Sequence, residues 1–279
     1  MFNWSVCKQC LVCSHLSKLF RMKILQSAER ISQYEKSDHV IFQRSIFAYH
    51  EAAKLVNNTL LEVGTGMGYG LELLAPKVNE YHAIDKYASA VVKDNIGKQN
   101  FCFHQMTVPP FKGIENEQFD FVISFQVVEH IKDDDLFLSE ISRVLKKGGK
   151  AIISTPNIKM SLTRNPWHIR EYTVEQFNDK LLGNFSETKM YGVYGNGKVD
   201  HYYEENKKNV RKLTRFDVFG MQYWLPRQLM QIPYDILNRL NRKKLLEKNK
   251  EVINSIDHSD FVLKEADDNC YDLFAVAVK

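Results

Sequence analysis

The chain has 279 residues, of which 44% are hydrophobic and 26% charged, with a formal net charge of +4 at pH 7. This balance is typical of a globular protein and excludes an intrinsically disordered chain. No run of about eighteen apolar residues occurs, so we expect no transmembrane helix. The odd number of cysteines does not resemble a secreted disulfide framework. We therefore expect a cytoplasmic location, with membrane association as an alternative.

The first 21 residues contain a C-x-x-C-x-x-C-x-H motif from Cys7 to His15. This spacing admits a zinc or iron–sulfur site. However, no second cysteine pair follows at the distance of a zinc ribbon or finger. Met22 begins a run that resembles a natural start. We therefore interpret residues 1–21 as a poorly ordered N-terminal extension, and we expect no metal.

Residues 22–57 precede the first predicted strand. Their apolar side chains recur near helical spacing between residues 27 and 56, which predicts one or two amphipathic helices. Tyr34, His39 and Arg44 are the polar side chains that could face a site, although a surface or capping role is the simpler interpretation of each.

A strand followed by closely spaced glycines forms the centre of the chain. Residues 59–63 read as a short buried strand, and an E-x-G-x-G-x-G pattern runs from Glu62 to Gly68. Glycines let the chain turn tightly and let a ligand lie against bare backbone. The helix that follows offers unpaired N–H groups. The dinucleotide fingerprint fails, because Tyr69 stands where its last glycine would be.

Two further motifs follow in an alternating strand–helix order. The second strand, 81–84, ends in Asp85, and an acid there suits a ribose diol. The fourth strand, 119–125, is followed by Gln126 and by the pair Glu129-His130. The third strand is predicted at 101–105 and the fifth at 150–155. A capping box from Thr173 to Gln176 predicts the start of a helix that continues to residue 182.

Over residues 58–155, these three motifs together resemble the class I S-adenosylmethionine-dependent methyltransferases, in the branch of small-molecule O-methyltransferases. The resemblance implies an α/β, Rossmann-like seven-stranded sheet, mostly parallel with an antiparallel last strand and helices on both faces. The implied units are a helical lid, the methyltransferase core, a basic helical insertion and a final strand: 22–57, 58–194, 195–262 and 263–279.

The resemblance also implies the cofactor, S-adenosyl-L-methionine, and the residues that bind it. An acid before the glycines would organise the amino-acid end of the cofactor. The acid that the family usually carries after the third strand is missing, and Gln105 and Met106 stand there instead. The expected cofactor-binding residues are Glu62, Gly64, Thr65, Gly66, Gly68, Asp85, Lys86, Gln105, Met106 and Gln126.

Catalysis on a hydroxyl acceptor needs a base with a pKa near neutrality, which histidine supplies. His130 and His168 are the candidates, with Glu129 as partner or alternative base. A structural role for the Glu129-His130 pair fits about as well. The loop 165–172 contains Trp, His, Arg and Tyr, which together could bind a sugar. The sequence around this loop resembles that of bacterial methyltransferases associated with surface glycans and lipopolysaccharide. We therefore expect a saccharide or other small-molecule acceptor.

The segment 206–250 is strongly basic. It carries twelve Lys or Arg and three Asp or Glu, a formal net charge of +9, with aromatics and leucines interleaved. Such an element can contact an anionic membrane, bind nucleic acid, or expose a solvated face. No nucleic-acid-binding motif supports the second possibility.

The sequence thus predicts a methyltransferase that modifies an oxygen of a sugar, glycan or other small molecule. Two rival hypotheses remain. One is a non-catalytic module that holds the cofactor, and the other is an N-methyltransferase acting on RNA. Against the second, the Asn-Pro-Pro-aromatic run typical of amino methylation is absent after the fourth strand, where Ser124 to Val127 stand.

Overall fold

The computed structural model describes residues 31–98, 100–215, 217 and 220–279. The expectations for residues 1–21 and for their cysteine motif lie outside the described residues. The described chain contains one eight-stranded sheet. Its strands are β1 Thr59–Val63, β2 Glu80–Asp85, β3 Phe101–Gln105, β4 Phe119–Phe125, β5 Leu145–Pro156, β6 Glu187–Gly195, β7 Phe261–Glu265 and β8 Asp272–Val278.

The strand order is β3-β2-β1-β4-β5-β8-β6-β7. The first five strands in this order are parallel, and β8 lies antiparallel between β5 and β6. The α/β fold and the antiparallel last strand are therefore confirmed. An eighth strand, β7, was not predicted. It pairs antiparallel with β6 at the edge, where Val262 and Lys264 alternate with more buried residues too briefly to give a clear pattern.

Nine α-helices occur among the described residues. They are α1 His39–Ala52, α2 Leu71–Leu74, α3 Ala90–Asn95, α4 Asp134–Val144, α5 Val174–Leu182, α6 Gly197–Thr214, α7 Met221–Trp224, α8 Arg227–Lys248 and α9 Lys250–Ser255. The predicted capping box at Thr173 and Gln176 is present. Asp133 caps α4 by accepting from the N–H of Leu136 at 3.0 Å. None of these helices combines the length and apolarity needed to cross a bilayer.

The sheet is covered on both faces by apolar side chains. Alternate residues of β1 face opposite ways, so Leu60 joins one buried cluster and Leu61 the other. Phe47 of α1 lies in the first cluster and Phe137 of α4 in the second. Each such fully buried side chain contributes about 1.5–3 kcal/mol of transfer free energy. This two-sided burial explains why the central strands read as nearly continuous apolar runs.

The helices after β6 pack against the segment before β1. Arg242 of α8 forms a buried ion pair with Asp38, with 3.0 Å between Nη1 and Oδ1. His39 at the start of α1 bonds the carbonyl of Ile256 at 2.7 Å. The predicted lid, 22–57, and the predicted insertion, 195–262, therefore contact each other. A cavity lies beneath them.

Candidate functional site

The loop after β1 turns back over the end of β2. The N–H groups of Gly64 and Thr65 both donate to the carbonyl of Ile84, at 2.8 and 3.2 Å. Gly64 has φ +86°, and a Cβ there would lie 2.3 Å from Val127, so only glycine lets this loop approach the end of β4. A Cβ on Gly66, at φ +54°, would meet no atom within 4 Å. The backbone of Gly66 is thus bare and exposed, as a closely held ligand requires.

Glu62 lies beneath this loop and is 1% exposed. Its carboxylate accepts from the hydroxyls of Tyr49 at 2.6 Å and Tyr81 at 2.5 Å. Burial raises the pKa of Glu62, and the hydrogen bonds from Tyr49, Tyr81 and Thr65 oppose this rise. The expectation placed this acid against the cofactor. In the structure the carboxylate links α1 and β2 beneath the loop through its two tyrosine hydrogen bonds, and its contact with the cofactor stays a prediction.

The remaining expected residues on this side meet at the ends of β2 and β3. Asp85 accepts from the N–H of Gly66 at 2.8 Å and from that of Tyr87 at 2.9 Å. Met106 donates its N–H to the Asp85 carbonyl at 3.0 Å. The Gln105 amide donates to the carbonyl of Lys86 at 3.2 Å. A partly exposed carboxylate, which can accept from the two hydroxyls of a ribose, therefore stands beside exposed glycine backbone, and the Gln105 amide lies close by.

Gln126 marks the end of the neighbouring strand β4. It has φ +56°, a conformation that non-glycine residues seldom adopt. Its N–H donates to the carbonyl of Ser154 at 2.9 Å, which holds the turn against β5. Such local strain is concentrated at functional sites. The turn aims Gln126 into the cavity under α1 and α8.

This cavity, which we call the α1–α8 cavity, has a volume of about 700 Å³. Polar side chains, among them Arg44, Gln126 and Asn157, come from α1 and from the ends of β4 and β5. Its other walls are largely apolar and come from α6, α7, α8 and the loop after β5. The apolar lining includes Ile41, Met160, Leu162, Val210, Leu213, Leu225, Met230 and Leu237. Polar side chains from the strand ends and apolar side chains from the helices therefore face the same space.

The three expected catalytic residues lie together beside this cavity. Two of them, His130 and His168, line it, and their rings meet edge to face with centroids 4.9 Å apart. Glu129 is 1% exposed and accepts from Thr155 at 3.0 Å through Oε2. Its Oε1 has no hydrogen-bond partner within the part of the chain that the structure describes. Burial raises the pKa of Glu129, while the two histidines oppose the rise.

Backbone and side-chain contacts orient both rings. His130 Nδ1 lies 3.0 Å from the carbonyl of Trp167, so Nδ1 carries the proton in the neutral ring and Nε2 is the accepting nitrogen. His168 Nδ1 lies 2.6 Å from Glu171, and its Nε2 lies 2.8 Å from the Asn165 amide. One ligand atom from each of Glu129, His130 and His168 lies within 4.8 Å of the others, a spacing that could also hold a metal ion.

The loop 165–172 does not present its aromatic residues as expected for a sugar. Tyr172 is 1% exposed and bonds the buried Asp134 at 2.5 Å, and Arg170 pairs with the same carboxylate. Trp167 donates its indole N–H to Asp235 of α8 at 3.0 Å. Asp134 on α4 and Asp235 on α8 thus hold these side chains away from the cavity. His168 of the same loop lines the cavity.

Sequence reasoning missed Glu171, which lies three residues after His168 and bonds its ring. The spacing of three was visible, but the loop gave no helical period to interpret it. Arg44 was named as a candidate on α1. It lines the cavity and forms an ion pair with the buried Asp272 at the start of β8, at 3.0 Å.

Residues 61–153 match the model of a methyltransferase domain. The chain is 30% identical over 162 residues to a probable S-adenosylmethionine-dependent methyltransferase of Mycobacterium tuberculosis, covering 55% of this chain and 58% of that protein. It is 32% identical over 105 residues to a mitochondrial ubiquinone biosynthesis O-methyltransferase of Dictyostelium discoideum, covering 37% and 32%. The chain thus spans less than two thirds of the length of these relatives.

A solved structure supports the fold. It is that of an S-adenosylmethionine-dependent methyltransferase of Thermotoga maritima, described as a possible histamine N-methyltransferase. It aligns with a TM-score of 0.50 and 16% identity, over 86% of this chain and 91% of that one. At this identity the likeness shows the fold alone.

An open α/β sheet, with a glycine loop after its first strand and an acid after its second, defines a Rossmann-like nucleotide-cofactor domain. Together with the matching domain model and the related sequences, it gives a narrower assignment. Residues 61–153 form a methyltransferase domain with the class I, Rossmann-like fold, and the related sequences indicate S-adenosylmethionine as the cofactor.

Proposed function

We propose that this protein transfers a methyl group to a hydroxyl oxygen of a small amphipathic acceptor held in the α1–α8 cavity. The observation that carries the proposal is the position of the two histidines. They line the cavity at the same sheet edge as the glycine loop. The loops after β1 and β4 are in contact there, since a Cβ on Gly64 would collide with Val127.

The cofactor supplies an activated methyl group on a sulfonium. In this proposal the exposed backbone of Gly66 and the carboxylate of Asp85 hold its nucleoside part. Beside Asp85, Gln105 hydrogen-bonds the edge of the adenine and Met106 packs on its face. Glu62 acts indirectly, because its two tyrosine hydrogen bonds fix the loop from below.

His130 is the proposed general base. Its Nδ1 donates to the Trp167 carbonyl, so Nε2 is the nitrogen that takes the proton from the acceptor hydroxyl. The buried Glu129 carboxylate stabilises the imidazolium that results, which is consistent with its electrostatic coupling to both histidines. His168, oriented by Glu171, positions the acceptor.

The apolar walls define the acceptor more closely. A free sugar would leave the apolar surface of α6, α7 and α8 without a partner, whereas an acceptor with an apolar tail covers it. Lipid-linked saccharides and alkylated phenols both have this character. The O-methyltransferase relative from Dictyostelium discoideum supports transfer to oxygen, as its name indicates.

A paired-substrate assay tests this proposal. Radiolabelled methyl transfer is measured to octyl glucoside and methyl glucoside, and to octylphenol and phenol. We expect transfer to an octyl compound, little to its short partner, and loss of transfer in His130→Gln. A chain that binds S-adenosylhomocysteine but methylates none of these compounds would favour the non-catalytic alternative.

The outer face of α8 suggests where such an acceptor is collected. Four apolar side chains spaced three or four residues apart are exposed along one side, and Leu229 and Ile232 are 65% and 67% exposed. Ile236 and Leu240 continue the row, and the exposed Lys243 follows one turn later. We propose that this face contacts an anionic bilayer, since apolar and cationic side chains on one helix face favour that surface.

Flotation with vesicles tests the bilayer contact. We expect binding to phosphatidylglycerol vesicles, weakened by salt, and little binding to phosphatidylcholine vesicles. The double variant Ile232→Ser, Leu240→Ser should lose binding, since both side chains are exposed and neither lines the cavity. Ile96→Ser, which changes an exposed apolar residue on another helix end, should keep it. Equal flotation of both variants, or salt-sensitive binding to RNA instead of vesicles, would contradict this proposal.

A further inference from the structure

A second cluster of metal-ligating side chains lies on the opposite half of the sheet. In the parallel register His82 of β2 pairs with Cys102 of β3, and Ile84 pairs with His104. Paired residues and residues two apart share a face of the sheet, so His82, Cys102 and His104 project to the same side. One ligand atom from each lies within 4.8 Å of the other two. We propose that these three residues form a binding site for a borderline d-block cation, with Zn²⁺ as the physiological choice.

The two rings are already arranged as a pair of ligands. They are stacked with centroids 5.2 Å apart, and His82 Nδ1 lies 3.0 Å from His104 Nε2. Two neutral rings at this distance share one proton. Two Zn–N bonds of about 2.0–2.1 Å at a tetrahedral angle place the nitrogens about 3.3 Å apart. A cation can therefore replace the shared proton after a shift of only a few tenths of an ångström.

The surroundings hold one ring in place and give access to the site. The His82 ring packs edge-on against Phe119, with centroids 5.1 Å apart, which fixes its plane. Cys102 is exposed on an edge strand, so the third ligand is open to solvent ions.

The chemistry of the donor set points to zinc rather than to magnesium or calcium. Imidazole and thiolate are the ligands that zinc prefers, whereas the hard cations select oxygen. Glu80 lies 3.8 Å from Nε2 of His82, the nitrogen away from His104. This is the position of the outer carboxylate that orients a metal-bound histidine. A water molecule would complete a four-coordinate site.

Such a site would clamp the edge strand to β2 close to the cofactor region. Asp85 pairs with Gln105 one residue beyond His104 on β3, so the clamp would hold the strand ends that carry both residues. The inference does not depend on the proposed methyl transfer, and either can fail without the other.

Cobalt(II) is the probe, because thiolate ligation produces a charge-transfer band in the near ultraviolet. The full chain is used with Cys7, Cys10 and Cys13 changed to Ser, so that the N-terminal motif cannot supply the thiolate. We expect one equivalent of cobalt to produce the band, Cys102→Ser to abolish it, and His104→Gln to weaken binding about tenfold or more. Zn²⁺ should displace the cobalt.

Two controls keep the result specific. His50 and His258 also form a stacked pair, with centroids 3.9 Å apart, so His50→Gln should leave the cobalt band unchanged if that pair plays no part. Zn²⁺ should raise the melting temperature of the triple-serine protein and not that of the protein with Cys102→Ser added. Absence of the band, or its persistence in the Cys102→Ser variant, would overturn the proposal.

Discussion

Alanine at Gly66 separates the cost of backbone strain from the loss of ligand contact. Gly66 has φ +54°, and an added Cβ meets no atom within 4 Å. Gly113 offers a matched control, because it has φ +76°, equally open surroundings, and a position in the connection before β4. In this backbone region an L side chain costs about 1–2 kcal/mol. Both variants should therefore lose similar stability and melt about 2–4 °C lower per kcal/mol.

Cofactor binding should distinguish the two variants. In Gly66→Ala the new methyl group occupies the surface on which the cofactor is proposed to lie. We expect affinity for S-adenosylhomocysteine to fall about tenfold or more, which is 1.4 kcal/mol or more. Gly113→Ala should bind as the wild type does. Isothermal titration and thermal unfolding of both proteins provide the measurements, and equal affinity of the two variants would refute the proposed placement.

Three further predictions concern single side chains. His130→Gln should lower the methyl-transfer rate about 100-fold or more through loss of the base, with unchanged binding of S-adenosylhomocysteine by calorimetry; an unchanged rate would contradict this role. Asp134 has a pKa lowered to about 2, because hydrogen bonds from its partners outweigh the opposing effect of burial. Its stabilisation, about 2 kcal/mol, should be complete above about pH 4 and lost as the pH falls towards 2. Melting temperatures of wild type and Asp134→Asn should therefore differ at neutral pH and converge in acid; a constant difference would count against this reasoning. Tyr81→Phe should cost about 1–3 kcal/mol in urea unfolding, because it removes the donor to a buried oxygen of Glu62. The exposed Tyr223→Phe should be neutral, and equal effects would show that the buried hydrogen bond contributes little.

Local sequence signals predicted the elements around the cofactor loop. Residues 59–63, 101–105 and 119–125 form strands with the predicted bounds. Each is a short run that is rich in apolar or aromatic side chains, so the information is contained in the run itself. The glycine pattern is similarly local, because left-handed backbone angles need glycine wherever they occur.

Contacts between distant segments could not be read in the same way. Glu62 is bonded by Tyr49, which lies on α1, and by Tyr81 on β2. The motif predicted an acid before the glycines but not the two tyrosines that donate to it. Trp167 was expected to face a ligand, yet Asp235 on α8 accepts its indole hydrogen bond. The residues next to Glu62 and Trp167 in the sequence do not indicate which distant side chains bond them.

The histidine site was predictable from the sequence only in part. The Glu129-His130 pair follows a strand directly, so its place at the sheet edge was predictable. His168 lies nearly forty residues later, and its position against His130 depends on how the loop after β5 folds back. That loop is held by Arg170 and Tyr172 on the buried Asp134, contacts that only the folded chain reveals.

Binding of S-adenosylhomocysteine tests the central claim most directly. Titration of the intact protein should give a single saturable isotherm with one site per chain, and Asp85→Ala should weaken it about tenfold or more by removing the ribose acceptor. No measurable heat from the wild type, or an Asp85→Ala protein that binds as tightly as the wild type, would contradict the account.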